Sequence, residues 1–416
     1  MELYNTENLI ITNNVLIGVR NKNIERAEIP DIVERIGKGA FKGCRKLASV
    51  SIPAGVSAIE RDAFMGCEGL CSIELPEGIT EIGDGAFIDC ISLESAVLPK
   101  TLVKIGNSSF KGCKKLARIE LPEGLCSIGV GAFMNCDSLA TAELPESLTH
   151  MGAHCFSNNL SLCSVRIPEG IKEIAENAFS GCEALTNVEI SEGVTEIGGG
   201  AFKGCKSLKS VSLPESVDRM GDSAFYGCEA LETVEMPKDM SYLGYSAFGG
   251  CVSLSTLRLP YGIRRIGAQT FSGCALLDDV VLPPSISEIG YRAFEGCKNL
   301  SAITLTEHLR EFDDEIFVGC ENLYFVRVDT RYALSANVIC TIPYPVDLTI
   351  GAGVGYIERG ALSRHGNLYK VRLEQGITAI SAKAFAYCIN LCKAEIPESV
   401  VSIAEDAFEG CDKLEV

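Results

Sequence analysis

Phenylalanine returns at every twenty-third position along most of this chain, and no other feature limits its fold so tightly. Phe41, Phe64, Phe87, Phe110, Phe133, Phe156, Phe179, Phe202, Phe225, Phe248, Phe271, Phe294 and Phe317 keep the spacing; it lapses, then resumes with Leu362, Phe385 and Phe408. A fixed period of roughly 20–50 residues marks a repeat array, in which each unit buries its apolar face against its neighbours. The 416 residues therefore do not divide into ordinary domains as length alone would have it.

The rest of the pattern keeps step with these sixteen anchors. Six residues after each stands leucine, from Leu47 and Leu70 to Leu391 and Leu414. Nine after stands Val, Ile, Leu or Ala, and eleven after Ile, Leu, Met or Val. Five before stands mostly Ile, as at Ile36, Ile59 and Ile82, and one before mostly Ala. These are the inward positions of a coil, and 47% hydrophobic content is material enough for a continuous core.

From the leucine the chain reads Leu-x-x-Val-x-Ile-Pro, as in residues 47–53. The alternation Val50, Ser51, Ile52 has the period of a strand with one face buried. One such strand per coil, stacked in register, predicts a parallel sheet with neighbours about 4.8 Å apart. Proline ends the strand because it has no N–H to give to a ladder. A Gly- and Ser-rich turn follows, and a second apolar stretch, such as residues 79–83, offers another short strand. The Ala-Phe-x-Gly-Cys piece reads as one turn of helix. Two residues after each of the first thirteen anchors stands Gly, Asn or Asp. Those residues tolerate a left-handed backbone, so a positive φ is expected there.

Fourteen of the twenty cysteines lie three residues after an anchor, from Cys44 to Cys411. The period reads as a column of buried free thiols in a small inward slot. A disulfide ladder between neighbouring coils is the alternative. Asn159 replaces one member and would leave a cysteine without a partner, which fits free thiols. No Cys-x-x-Cys pair exists, against a zinc ribbon or a redox dithiol.

Residues 75–93, Leu-Pro-Glu-Gly-Ile-Thr-Glu-Ile-Gly-Asp-Gly-Ala-Phe-Ile-Asp-Cys-Ile-Ser-Leu, resemble the 23-residue leucine-rich repeat of the BspA-like, or Treponema-type, family. The likeness covers nearly the whole chain. It departs from the commoner leucine-rich repeat, whose Asn ladder is replaced here by a Pro and a Gly/Ser turn. The resemblance implies an α/β, β-dominated repeat solenoid. That is a right-handed superhelix with one short parallel strand per coil and short helical turns on the convex side. It further implies a bacterial or protist protein, often surface-exposed and often adhering to host proteins, with no catalytic residues.

The expected organisation has four parts. Residues 1–35 form an N-terminal hairpin cap and first partial coil, with strands on either side of Asn13-Asn14; such a cap covers the open core and sheet edge. Residues 36–323 form an array of thirteen coils, 324–360 a degenerate coil or junction, and 361–416 three further repeats. Asn337-Val338-Ile339 echoes Asn14-Val15-Leu16, so a second cap-like hairpin is the alternative at the junction. The chain closes at Val416 inside a strand, which raises the expectation of a homodimer through an uncapped C-terminal end.

A net charge of −18 and a pI near 4.8 weigh against nucleic acid and against anionic lipid as partners. No stretch approaches the roughly eighteen apolar residues of a spanning helix, so no membrane insertion is expected. The first residues lack the basic start of an export signal. Location is therefore expected to be extracellular or at the cell surface by resemblance, or cytoplasmic by the missing signal. His150 and His154 stand four apart beside Cys155, but in a strand-to-turn stretch that spacing does not share a face, and no metal is expected. The glycines follow the repeat and so punctuate turns instead of forming a phosphate loop. With no nucleophile–His–Asp constellation and no cofactor motif, the chain is not expected to be an enzyme.

Outward strand positions lie eight and ten residues after each anchor. The first column is short and hydroxylated. The second is acidic with one Arg through Glu120, Glu143, Arg166, Glu189 and Glu235, then turns apolar and basic from Arg258. Glu120 and Glu143 should repel across one strand spacing, and a basic partner or a cation would relieve them. These six residues, with Tyr324 and Phe325 as aromatic anchors near Arg327, are the expected partner-binding site; a merely solvated face is the alternative. Two functions remain open. One is a protein-interaction or adhesion module whose partner is a host matrix or surface protein. The other is an intracellular or self-assembling scaffold without a dedicated ligand.

Overall fold

The computed structural model describes residues 8–313, 315–335, 338–342 and 345–415. Asn337, part of the echo of the N-terminal hairpin, lies outside the described residues, as do Val416 and residues 1–7, on which the export reading rests. The chain divides into two compact units, Met1–Val217 and Asp218–Val416.

In the first unit each coil contributes to three hydrogen-bonded ladders. The strand after the leucine forms one, as where Arg118–Glu120 pairs in parallel with Thr141–Glu143. The second apolar stretch forms another, running parallel from Arg35–Ile36 through Ala58–Ile59 and Glu81–Ile82 to His150–Met151. Each coil thus carries two short strands, where one had been predicted and a second only offered. Strand Val15–Val19 joins that ladder beside Arg35–Ile36 and folds back on Leu9–Thr12 as an antiparallel hairpin. Its turn uses left-handed Asn13 and Asn14, as a tight hairpin needs.

The third ladder runs through the phenylalanine segment. The N–H groups of Gly39, Phe41 and Gly43 donate to the carbonyls of Arg61, Ala63 and Met65 in the next coil at 3.0, 2.7 and 2.7 Å. The intervening N–H groups of Ala40, Lys42 and Cys44 close tight turns on residues three positions back. The expected helical turn is therefore a run of β-turns. A helix needs right-handed residues throughout and consumes its N–H groups internally. Here Gly39 (φ 63°) and Gly43 (φ 76°) are left-handed, and alternate N–H groups point along the stack. The position two after the anchor has positive φ in all thirteen coils, as expected, including Asp89, Asn135 and Asn158. A second left-handed column, two before the anchor, was not foreseen: Gly39, Asp62, Gly85, Ser108 and their successors.

Inside, the rings from Phe41 to Phe202 stack at 5.0–5.6 Å with planes within 12°. Nineteen of the cysteines are in no disulfide. Column thiols donate to the preceding coil's phenylalanine carbonyl, as Cys67 Sγ does to Phe41 O at 3.3 Å. Burial pushes the Cys90 and Cys136 thiols up to about 12, so they stay protonated. Asn159 fits the same slot because both ends of its amide are used. Its Nδ2 donates to Phe156 O, and its Oδ1 accepts from the Cys136 N–H, each at 2.9 Å.

The second unit repeats this plan, its rings from Phe225 to Phe317 stacked at 5.4–5.9 Å. Where the phenylalanine period lapses, a short helix Arg331–Ser335 and a 3-10 turn Val338–Thr341 replace the β-turns. The strand ladder nonetheless runs on in parallel: Ala302–Leu305, Phe325–Val328, Val346–Ile350, Leu368–Leu373, Lys393–Glu395. Asn367 ties the irregular segment down, its Nδ2 donating to the carbonyls of Ile339 and Ile342 at 2.7 and 2.9 Å. His365 takes a cysteine slot and is buried, with Nδ1 3.3 Å from Ser363 O; burial pushes its pKa below the ordinary value.

Candidate partner-binding face

Period-two strands put every second side chain in water, and the ladder then stacks like-numbered outward residues side by side. In the first unit Glu120 lies opposite Glu143, and Arg166 opposite Glu189, as the spacing implied. The repulsion is partly relieved within the chain. Arg118 pairs with Glu120 at 2.9 Å, and Arg166 pairs with Glu146 and, at 3.9 Å, with Glu189. These pairs are largely exposed, and solvent screens them. His150 is exposed on its strand while His154 is a left-handed turn residue. Among the described residues no group of three or more His, Cys, Asp or Glu is placed to hold a metal.

In the second unit Glu235 is exposed at the end of Thr233–Glu235, and Arg258 lies opposite Val281. Tyr324 and Phe325 come together with Arg327 at the start of one strand. Phe325 stands opposite the small Ala302 on one side and Asp347 on the other, which leaves its ring 58% exposed. Arg327, like Arg166, has its charge engaged within the chain. Its Nη2 donates to Glu374 Oε2 at 2.8 Å, across the intervening strand, and its Nε donates to Asp329 Oδ2 at 2.9 Å. The two carboxylates raise the Arg327 pKa further, and the guanidinium holds Glu374 below the usual carboxylate range. A bidentate guanidinium so placed is a staple between coils. Gly351 lies beneath it, where a Cβ would fall on Asp329 Oδ1.

A further column of this face escaped the reading by spacing. Thirteen residues after the anchors it runs Glu77, Lys100, Glu123, Glu146, Glu169, Glu192, Glu215 and Lys238, then breaks to Tyr261 and Pro284. That break was a legible signal in a column lying just past the strand. Tyr261 is 73% exposed, and nearby Val281 is 63% exposed.

Short parallel strands stacked at a 23-residue period, with repeating leucine and phenylalanine columns inside and unlike residues outside, define a leucine-rich repeat solenoid with almost no helix. The chain belongs to the BspA-type leucine-rich repeat family. The profile of that family, a BspA type leucine rich repeat region of six copies, matches residues 19–117, 80–209, 195–324 and 345–416. Among solved structures the chain is similar to a leucine-rich repeat protein from Bacteroides ovatus, at 28% identity over 96% of this chain and 88% of that one, with a TM-score of 0.64. It also matches a leucine-rich repeat protein of T. pallidum, at 27% identity over 50% of this chain and 91% of that one, with a TM-score of 0.39. A leucine-rich cell surface protein from Faecalibacterium prausnitzii matches at 22% identity over 100% and 93%, with a TM-score of 0.43. Comparison with curated proteins gives no match. The relatives are bacterial repeat proteins of a protein-interaction fold. No helix among the described residues is long and apolar enough to cross a membrane.

Proposed function

We propose that the chain is a non-enzymatic interaction module that offers the outward side chains of its strand ladders to a protein partner at the bacterial surface. The contrast between the two faces of those strands carries the reading. Inward positions repeat from coil to coil. Outward ones change, from Arg118 and Glu120 through Arg166 and Glu189 to Arg258, Val281 and Phe325. An unvarying stack beneath a varying exterior is how a repeat scaffold acquires specificity. Exposed Tyr324 and Phe325 supply the aromatic anchors that binding sites favour. Family membership supports adhesion to a host matrix or surface protein, and the preferred hand of parallel crossovers supports right-handed coils.

Binding of the full chain to immobilised host matrix proteins tests the reading, with a Tyr324→Ser/Phe325→Ser variant as the control. The variant should bind on the order of tenfold or more weakly. Equal affinity removes these residues from the site, and binding to no member of such a panel favours the second reading. That reading is an intracellular scaffold, and the nineteen free cysteines favour it, because thiols persist in reducing compartments.

A further inference from the structure

Within the second unit the face beside strands Thr256–Arg258 and Asp279–Val281 is hollowed into a groove of about 650 Å³. Tyr261 and Val281 stand in it as large side chains left mostly in water. Its walls include turns carrying Pro260, Pro283 and Pro284, whose rings fix the backbone. Among the described residues the charged ones lining it are Lys238 and Arg258, in a chain whose net charge is −18. Neither cation is engaged in an ion pair among the described residues.

We propose that this groove binds an extended acidic peptide segment of another protein. The segment lays an aromatic or leucine side chain on Tyr261 and Val281, and sets a carboxylate against Arg258 and Lys238. The inference rests on the interaction reading above and names the partner's chemistry. Three observations select this occupant. The volume lies in the range of pockets that hold a few residues, not a folded domain. The apolar lining is preformed by prolines, so binding sacrifices little conformational freedom. The two cations, which make no ion pair among the described residues, supply charge complementarity at close range, while charges more than about 8 Å away are screened at physiological salt.

Panning a display library of random linear heptapeptides against the full chain, with counter-selection on a Tyr261→Ala/Arg258→Glu variant, tests this. Recovered sequences should place Phe, Tyr, Trp or Leu within two residues of Asp or Glu. A synthetic peptide of that kind should lose on the order of tenfold in affinity with each single substitution. Because both side chains are exposed, the variants should keep the parent thermal unfolding curve. Recovery of no peptide, recovery of peptides lacking an acidic residue, or single variants that bind the peptide as tightly as the parent would overturn the proposal. So would displacement of the peptide by decanoate at equal potency, which would assign the groove to small anionic amphiphiles. If the groove alone fails, matrix-protein binding survives Tyr261→Ala and is weakened by Tyr324→Ser/Phe325→Ser. If the wider reading fails, no matrix protein binds any form, while the peptide still distinguishes parent from groove variants.

Discussion

Gly351→Ala should destabilise the second unit, and the same substitution should stabilise it once Asp329 is removed. Gly351 has φ −81° and ψ 166°, ordinary extended backbone open to any residue. Alanine there would by itself stabilise by about 0.4–1 kcal/mol, because the unfolded chain loses freedom. In the native protein, however, the new methyl falls on Asp329 Oδ1, with Arg327 Nη2 at 3.0 Å. The carboxylate must leave, and with it go the Arg327 Nε–Asp329 Oδ2 hydrogen bond and the Nη2–Oδ1 ion-pair contact, both 2.9 Å. The side chains are 38% and 23% exposed, so each bond is weighted near the exposed-pair value of about 0.5–1 kcal/mol. Breaking both, offset by the alanine gain, leaves a net cost of about 0–1.6 kcal/mol in the parent. In an Asp329→Ala background the clash is gone and the gain of about 0.4–1 kcal/mol remains. The coupling between the two sites is therefore about 1–2 kcal/mol. A long repeat array need not unfold in two states, so the readout should be local. Native-state hydrogen exchange of the strands Val346–Ile350 and Leu368–Leu373 in all four forms provides it. Equal effects of Gly351→Ala in both backgrounds would refute the cluster as the reason for glycine.

Three further outcomes follow from the same physics. The raised pKa of the buried column means that brief iodoacetamide treatment of the native chain at pH 8 should label exposed Cys71 and Cys163 and spare Cys90 and Cys136; mass mapping that found the column labelled equally would contradict it. Gly296 has φ 69° and a Cβ there would stand 3.7 Å from Gly273, so Gly296→Val should cost about 1–2 kcal/mol through backbone strain alone, with Gly296→Asn costing less, both read from native-state hydrogen exchange around Gly296. His365 folds with a pKa below its ordinary value, so its contribution is complete above about pH 6.5 and declines as acid protonates the unfolded chain preferentially. His365→Cys should flatten that decline in a pH series of exchange rates around Leu368–Leu373, and an unchanged slope would exclude His365 as its source.

The periodic half of this protein is legible in one dimension. Every inward position meets its own equivalent one coil on, so Leu47, Phe41 and Cys44 each announce a column by spacing alone. The proline stop after the strand and the left-handed site occupied by Gly43, Asp89 and Asn135 follow from local backbone chemistry, and they too can be read without coordinates. The BspA-type family is visible for the same reason.

Tertiary structure decided what depends on reach between coils. The Ala-Phe-x-Gly-Cys composition suits a helical turn, and only the neighbouring carbonyls of Arg61, Ala63 and Met65 decide that Gly39, Phe41 and Gly43 donate outward. The left-handed column before the anchor is hidden because Ser108, His154, Arg292 and Glu315 occupy it as well as glycine. Arg327 looked free to meet a partner, yet its long side chain reaches Glu374, 47 residues away. Spacing fixes where a Cα stands in a stack; which groups a flexible side chain meets, and which hollow it leaves in water, is set by atoms from other coils.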